Sequence, residues 1–285
     1  MKLTLCILFS IVFLLTSPAN AQKKKNKDAS KAKSSQKEEL IVNGDLEAGK
    51  GRTPKGWSKF DGITQKWDTE GNPGKCLLLD TSVLQKDKKE FTADEEAFKA
   101  KKTKNKGGQY DVVGAHEGAW AYCAPIDVSP KDSWFILSCD VMAPGKSDEI
   151  MYPQILVRGF VPITETSDND SAVWYHHHFG PEEGGYEDMF GSKDLIRKPR
   201  VGDWKMVYRF SMACRTPVPN TFRHYEVAFN ISKMKRFRPT RLLIKPYAYW
   251  PAGIYRFDNI SLRRCTAEEA KAVNDNRPSI NEVVQ

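Results

Sequence analysis

Apolar residues in the body of this chain fall in short runs, broken by Gly, Pro, Asn and Asp at intervals of roughly 8 to 15 residues, a pattern of strands and turns rather than helices. The run Trp134 to Ala143 shows the period most clearly. Phe135, Leu137, Cys139 and Val141 share one parity and Ile136, Ser138, Asp140 and Met142 the other, as a strand with one face in a core requires. The same reading predicts strands over Leu40 to Val42, Lys75 to Leu79, Ala119 to Ala124, Gln154 to Val161 and Ala172 to Phe179. It predicts further strands over Lys205 to Cys214, His224 to Ile231, Arg241 to Tyr249 and Tyr255 to Arg263. Helix is the minority. Ala93 to Lys104 is helix-compatible but highly charged, an exposed excursion before Gly107 and Gly108, and the tail predicts one turn through Ala267 to Lys271 before trailing past Pro278. The sequence contains no repeat of the length that marks a solenoid or propeller.

The termini add a different kind of information. Lys2 precedes an apolar run from Leu3 to Leu15, too short to span a bilayer, and Ala19-Asn20-Ala21 is a small-residue cleavage pattern. Residues 1–21 therefore read as a signal peptide, with a mature start at Gln22; an uncleaved anchor is the alternative. Export leaves periplasm, cell surface and extracellular space open, and no transmembrane segment is expected in the mature chain. The formal charge of +8 is concentrated locally. Lys23, Lys24, Lys25, Lys27, Lys31, Lys33 and Lys37 crowd residues 22–39 with almost nothing apolar, which predicts a solvated tether rather than a nucleic-acid-binding arm. Residues 40–265 are long enough for one large β-sandwich or, by length alone, two small domains, and residues 266–285 form the tail. Beyond the signal stand Cys76, Cys123, Cys139, Cys214 and Cys265. None is spaced as CxxC, which argues against zinc, and their pairing is open: two disulfides and a free thiol, or none.

Val42-Asn43-Gly44-Asp45-Leu46-Glu47, followed by Pro54 and Gly56-Trp57, resembles the opening strand of family 4 and 9 carbohydrate-binding modules and their galactose-binding-like relatives, with its "NGDFE" and "GW" signatures. Tyr255-Arg256-Phe257-Asp258-Asn259-Ile260-Ser261-Leu262 is similar to their closing strand. Between these anchors, Trp134 to Val141 and Gly202-Asp203-Trp204-Lys205 resemble a core strand and a strand entry in the expected order. The resemblance implies an all-β, two-sheet antiparallel jelly roll that binds a polysaccharide or oligosaccharide. Leu46 stands where the family has Phe, and the excursions Lys86 to Lys106 and Thr164 to Ile196 are longer than a minimal module needs.

In these families, the acid of the first strand and the first Asp of the last often hold a structural calcium; by position these are Glu47 and Asp258. Two carboxylates plus backbone carbonyls suit a hard cation, and Asp45, two residues before Glu47, would share its strand face. The alternative is that these acids accept backbone hydrogen bonds at strand ends. Sugar recognition needs flat aromatic faces ringed by hydrogen-bonding side chains. The candidates are Trp174, Tyr175 and His176 with Tyr186 in the loop beyond, Tyr247 and Tyr249 with Trp250 beside Pro251, and, more weakly, Trp120 and Tyr122. Core packing is the competing use of each. Trp174, Tyr186 and Trp250 are expected as exposed platforms. The His176-His177-His178 run lacks the partners of a metal site, since alternation lets at most two share an ion.

No catalytic residue is predicted. Glu182, Glu183, Glu187 and Asp188 could supply a glycosidase pair, and His176 or Tyr186 with Arg197 a lyase, but no motif supports either. Non-catalytic glycan binding is therefore expected. A structural or adhesive envelope domain that binds protein is the alternative, and a polysaccharide-degrading jelly roll the second.

Overall fold

The computed structural model describes residues 38–101, 107–129, 131–145, 153–162, 204–216, 218–232 and 238–277, together with the backbone of 175–176. Near the start, β1 (Gly49–Lys50) and β2 (Thr53–Pro54) make a small ribbon, followed by β3 (Gln65–Gly71) and β4 (Gly74–Asp80). Helices α1 (Gln85–Ala93) and α2 (Glu95–Ala100) come next, then the short strands β5 (Ala119–Trp120) and β6 (Ile126–Asp127). The long strands are β7 (Trp134–Met142), β8 (Gln154–Pro162), β10 (Trp204–Ala213), β11 (Arg223–Asn230), β12 (Arg241–Ala248) and β13 (Ile254–Cys265), with the two-residue β9 (Tyr175–His176) between β8 and β10. Helix α3 (Ala267–Asp275) closes the described chain.

Every pairing is antiparallel. One sheet runs β5-β12-β8-β10-β9 with β6 also on β12, and the other runs β11-β7-β13-β4-β3. Their inner faces share a core that includes Leu77, Leu79, Phe135, Leu137, Val141, Ile155, Val157, Leu242, Ile244 and Phe257. The expected two-sheet sandwich is the observed fold, and the parity of β7 is as expected: Phe135, Leu137, Cys139 and Val141 are all fully buried.

Ile136, on the opposite parity, is also buried, because α3 covers it. Ile136, Ala228 and Ala270 form a second cluster with Trp134 and Val273. The tail is thus a nine-residue helix rather than one turn. Thr266 and Glu269 form a capping box, which satisfies two of the free amides at the helix start. Asn274 accepts from the Ala228 amide at 3.0 Å and donates to its carbonyl at 3.1 Å. Since β11 is an edge strand, this side-chain amide stands in for a neighbouring strand.

The two sequence anchors meet at one end of the sandwich. Residues 42–45 make a turn rather than the expected strand, with Asn43 and Leu46 both at positive φ. Leu46 still fills the core, at 0% exposure. Trp57 is buried and donates from Nε1 to the Asn43 carbonyl at 3.0 Å, holding the turn. Gly56 before it has φ +77, and a Cβ there would lie 2.7 Å from the Val42 carbonyl oxygen, so only glycine suits this close approach. No helix among the described residues is long and apolar enough to cross a membrane.

Burial pushes the Tyr208 phenol up to about 12 from about 10, the Cys123 thiol up to about 12 from about 9, and the Tyr225 phenol upward too. The unfolded chain releases these protons first as pH rises, so it binds fewer protons than the native state and stability falls. Denaturant midpoints should be level between about pH 7 and 9 and decline toward pH 12. Tyr208→Phe should flatten part of that decline, and a level profile in both proteins would contradict the assignment.

Candidate functional site

Strand β12 has two faces with different work. Leu242, Ile244 and Ala248 point into the core at 0% exposure, while Leu243, Lys245 and Tyr247 take the other parity. On that outer face, Leu243 joins Tyr122, Phe160 and Met206 in a small buried cluster, with Trp120 and Trp204 packed against it. Tyr247 pairs with Trp120 across the β12–β5 ladder, their ring centroids 6.5 Å apart. Tyr247 also stacks on Tyr249 at 6.3 Å with 26° between planes. Just past the strand, Trp250 stacks on Tyr110 at 6.0 Å and 12°. Five rings therefore collect on one end of the sandwich: Trp120, Tyr247, Tyr249, Trp250 and Tyr110. The first four are half-buried, and Tyr110 is 69% exposed.

The loop before β5 fixes these rings from behind. Tyr247 donates its hydroxyl to the Glu117 carbonyl and Tyr249 to that of Ala115, each at 3.3 Å. Burial, then the neighbouring Tyr249 and Glu117, pushes the Tyr247 phenol up to about 12, so it stays a neutral donor at ordinary pH. His116 Nε2 lies 2.9 Å from the Tyr110 carbonyl oxygen. A Cβ on Gly118, at φ +78, would sit 2.5 Å from the Ala248 carbonyl oxygen and 2.9 Å from the Tyr247 ring, so glycine lets the loop lie flat on the ladder.

Charge lines the rim. Lys88 of α1 pairs with Glu117 at 2.6 Å, and its Nζ is 5.1 Å from the Trp120 centroid. Lys245, almost fully buried, places Nζ 4.3 Å from Trp120, 5.2 Å from Tyr122 and 5.7 Å from Tyr247. An ammonium among ring faces is held by their quadrupoles and fixes their spacing. Half-exposed ring faces beside amine and carboxylate groups can stack on the C–H face of a pyranose and hydrogen-bond its hydroxyls.

Of the expected platforms, Trp250 is in this array. Trp174 and Tyr186 lie outside the described residues, as do the acids Glu182, Glu183, Glu187 and Asp188 and the base partner Arg197. Tyr175 and His176 are described only as a two-residue strand, in register with Lys205 and Trp204. Tyr247 stacks on Tyr249, and the Trp120 ring joins theirs. Tyr122 is core packing at 3% exposure. Tyr110, Glu117, Lys88 and Lys245 were not anticipated; the one local signal was Gly107-Gly108 ahead of Tyr110, a turn that could present a ring.

The acids of the two anchors also converge, apart from the aromatic array. Asp258 is fully buried beside a bulge where β13 shifts register on β7, opposite Asp140. Its oxygens accept from the amides of Asn72 at 2.5 Å and Asn259 at 2.7 Å. Burial raises its pKa, the two amides lower it, and Asp140 and Glu47 raise it again, so three carboxylates act on one another. Glu47 accepts from the Lys75 amide at 2.6 Å, while Asp140 is bound by Asn259 at 2.8 Å, Asn72 at 3.2 Å and His224 at 2.7 Å.

Asp45 ends the turn at 42–45 and Leu46 follows at positive φ, so this segment is not the extended strand on which the expected pairing of Asp45 with Glu47 rested. Asp45 lies exposed on a groove of about 350 Å³ with Glu39, Asn43, Asn259 and Ser261. Among the described residues, no three His, Cys, Asp or Glu side chains are grouped to hold a metal ion. Any cation here would depend on backbone oxygens. Such a set exists: a Cβ on Gly71 would meet Lys75 O at 2.7 Å, and Gly74 O and Asp258 Oδ2 at 2.8 Å each. These are hard oxygen donors around one small space, the donor class that calcium takes.

No protein-family model and no curated protein matches the chain. Among solved structures, it is similar to a "Family 16 Carbohydrate Binding Module-2", at 14% identity and TM-score 0.38, covering 78% of this chain and 98% of that one. It is similar to CBM28, a non-crystalline cellulose specific carbohydrate-binding module, at 10% identity and TM-score 0.33, over 78% and 94% of the two chains. An arabinose-bound α-L-arabinofuranosidase aligns at 10% identity and TM-score 0.39, over 81% of this chain but 27% of the enzyme. At such identities and scores, the reading of the site rests on its own residues.

Proposed function

We propose that this chain is an exported β-sandwich module that binds a polysaccharide or oligosaccharide without catalysis. The observation that carries the reading is the ladder Trp120–Tyr247–Tyr249, continued by the Tyr110–Trp250 stack, on one rigid end of the fold. Single part-exposed Trp and Tyr rings are ordinary, but here four half-buried rings and one largely exposed ring gather in one patch, held by hydrogen bonds and Lys245. An extended series of flat faces matches consecutive sugar rings better than it matches one small ligand. The charged rim supplies donors and acceptors for hydroxyls. The leader, the Lys-rich segment 22–39 and the NGD…GW and YRFDNISL anchors support export and the module class.

Within this reading, Asp258 and Glu47, with the carbonyls of Gly74 and Lys75, would hold a calcium that ties the first anchor to the last. The cation would supply positive charge to a cluster of three carboxylates and stabilise the fold rather than touch sugar.

Two measurements check these statements. Affinity electrophoresis against a panel of neutral and acidic polysaccharides should show saturable retardation by one class. Tyr247→Ala and Trp250→Ala should each weaken it about tenfold or more, roughly 1.4 kcal/mol, in protein whose far-UV circular dichroism shows the fold retained at the assay temperature. A folded protein that ignores every glycan would favour the protein-binding envelope role, and release of reducing or unsaturated sugar the enzyme. For the cation, calcium should raise Tm by several degrees and chelation reverse it, because only the folded state assembles the site. Glu47→Gln should abolish that response; an unchanged Tm would refute the calcium site.

A further inference from the structure

All five described cysteines are free thiols, and four of them are buried. Cys123 Sγ is engaged by its neighbour's carbonyl at 3.2 Å and Cys76 Sγ by that of Glu70 at 3.6 Å. Cys139 and Cys214 differ: their sulfurs are 3.9 Å apart, close to van der Waals contact, and both residues are at 0% exposure. Cys139 is on the inward face of β7, between β11 and β13 in the five-stranded sheet. Cys214 follows β10 of the facing sheet, where its amide donates to the Pro153 carbonyl at 2.8 Å. The two thiols therefore face each other across the core from opposite sheets.

We propose that Cys139 and Cys214 are an oxidation site that forms a disulfide joining the two sheets, with a disulfide-bearing thiol oxidant as co-reactant. One thiolate attacks the oxidant's disulfide and releases one of its thiols; the second thiolate then attacks the mixed disulfide and releases the other. Two S–H bonds and the oxidant's S–S bond break, one protein S–S bond and two oxidant S–H bonds form, and two electrons pass to the oxidant. Reaching bonding distance needs an approach of roughly 2 Å. Inward cysteines from facing sheets are the arrangement that immunoglobulin-type sandwiches bridge.

The bond would close a loop of 75 residues that contains β8, β10 and the long excursion from Thr164 to Ile196. It would fix the far end of β10, where Ala213 pairs with Gln154 at the start of β8, to β7 of the other sheet. Full burial also sets when it forms. Burial, then the neighbouring Cys214, pushes the Cys139 thiol well above its ordinary value, which leaves almost no thiolate in the finished fold. Oxidation therefore belongs to the folding chain, before the sheets close.

The test is to refold the full chain from denaturant in a glutathione redox buffer, block free thiols by alkylation and map peptides without reduction. A linked peptide pair joining Cys139 to Cys214 is expected. The same oxidant added to protein already folded under reducing conditions should give little of it. Reductant should then lower the Tm of the oxidised protein by roughly 10 °C, in line with a loop of this length, and should not change that of a Cys139→Ala/Cys214→Ala double variant. If the double variant does not fold, the peptide map of the unaltered chain decides alone. Alkylation of both residues in every refolded product, or a link to any other cysteine, would overturn the proposal.

Discussion

The alternation of β12 is the constraint on which the rest depends. One strand contributes Leu242, Ile244 and Ala248 to the shared core and, by the same period of two, presents Lys245 and Tyr247 on its other face. A slip of one residue would exchange the two sets, putting an ammonium in the core. The burial that holds the sandwich together therefore also fixes the aromatic ladder. Because Trp120 is bound in register to the same strand, the ring spacing is set by backbone hydrogen bonds rather than by mobile loop geometry. A surface built this way can meet a ligand with little ordering cost, which is where rigid platforms gain affinity.

Chain closure is the second organising feature. The first anchor ends in a turn pinned by Trp57, and the last strand carries Asp258 into the same region, where Glu47, Asp140, Asn72 and Asn259 gather. Like charges this close oppose folding unless amides or a cation offset them. Three backbone amides already reach these carboxylates, and the oxygens around Gly71 would suit a cation in addition. At the opposite chain end, α3 caps the outer face of the second sheet and satisfies an edge that would otherwise be open.

The sandwich was legible in the sequence because period and turn residues are local signals, as in β7, and because the two anchors bracket the body. The convergence of Glu47 and Asp258 was legible only through the resemblance, since nothing local says that residues so distant meet. The pairing of Asp45 with Glu47 assumed extended backbone, and a non-glycine residue at positive φ such as Leu46 gives no warning in its identity that the backbone turns there. Trp250 was legible as a candidate through the proline beside it, which marks a turn at the strand end. Tyr110, by contrast, is brought to Trp250 by folding of a distant loop, and Lys88 and Glu117 by packing of a helix onto it, so neither contact leaves a trace in spacing.

The most direct test of the central claim is hydroxyl-radical footprinting of the full chain, with and without the polysaccharide that retards it most in an affinity gel. The account predicts protection concentrated on Tyr110, Trp120, Tyr247, Tyr249 and Trp250. Protection elsewhere with these five unchanged would contradict it.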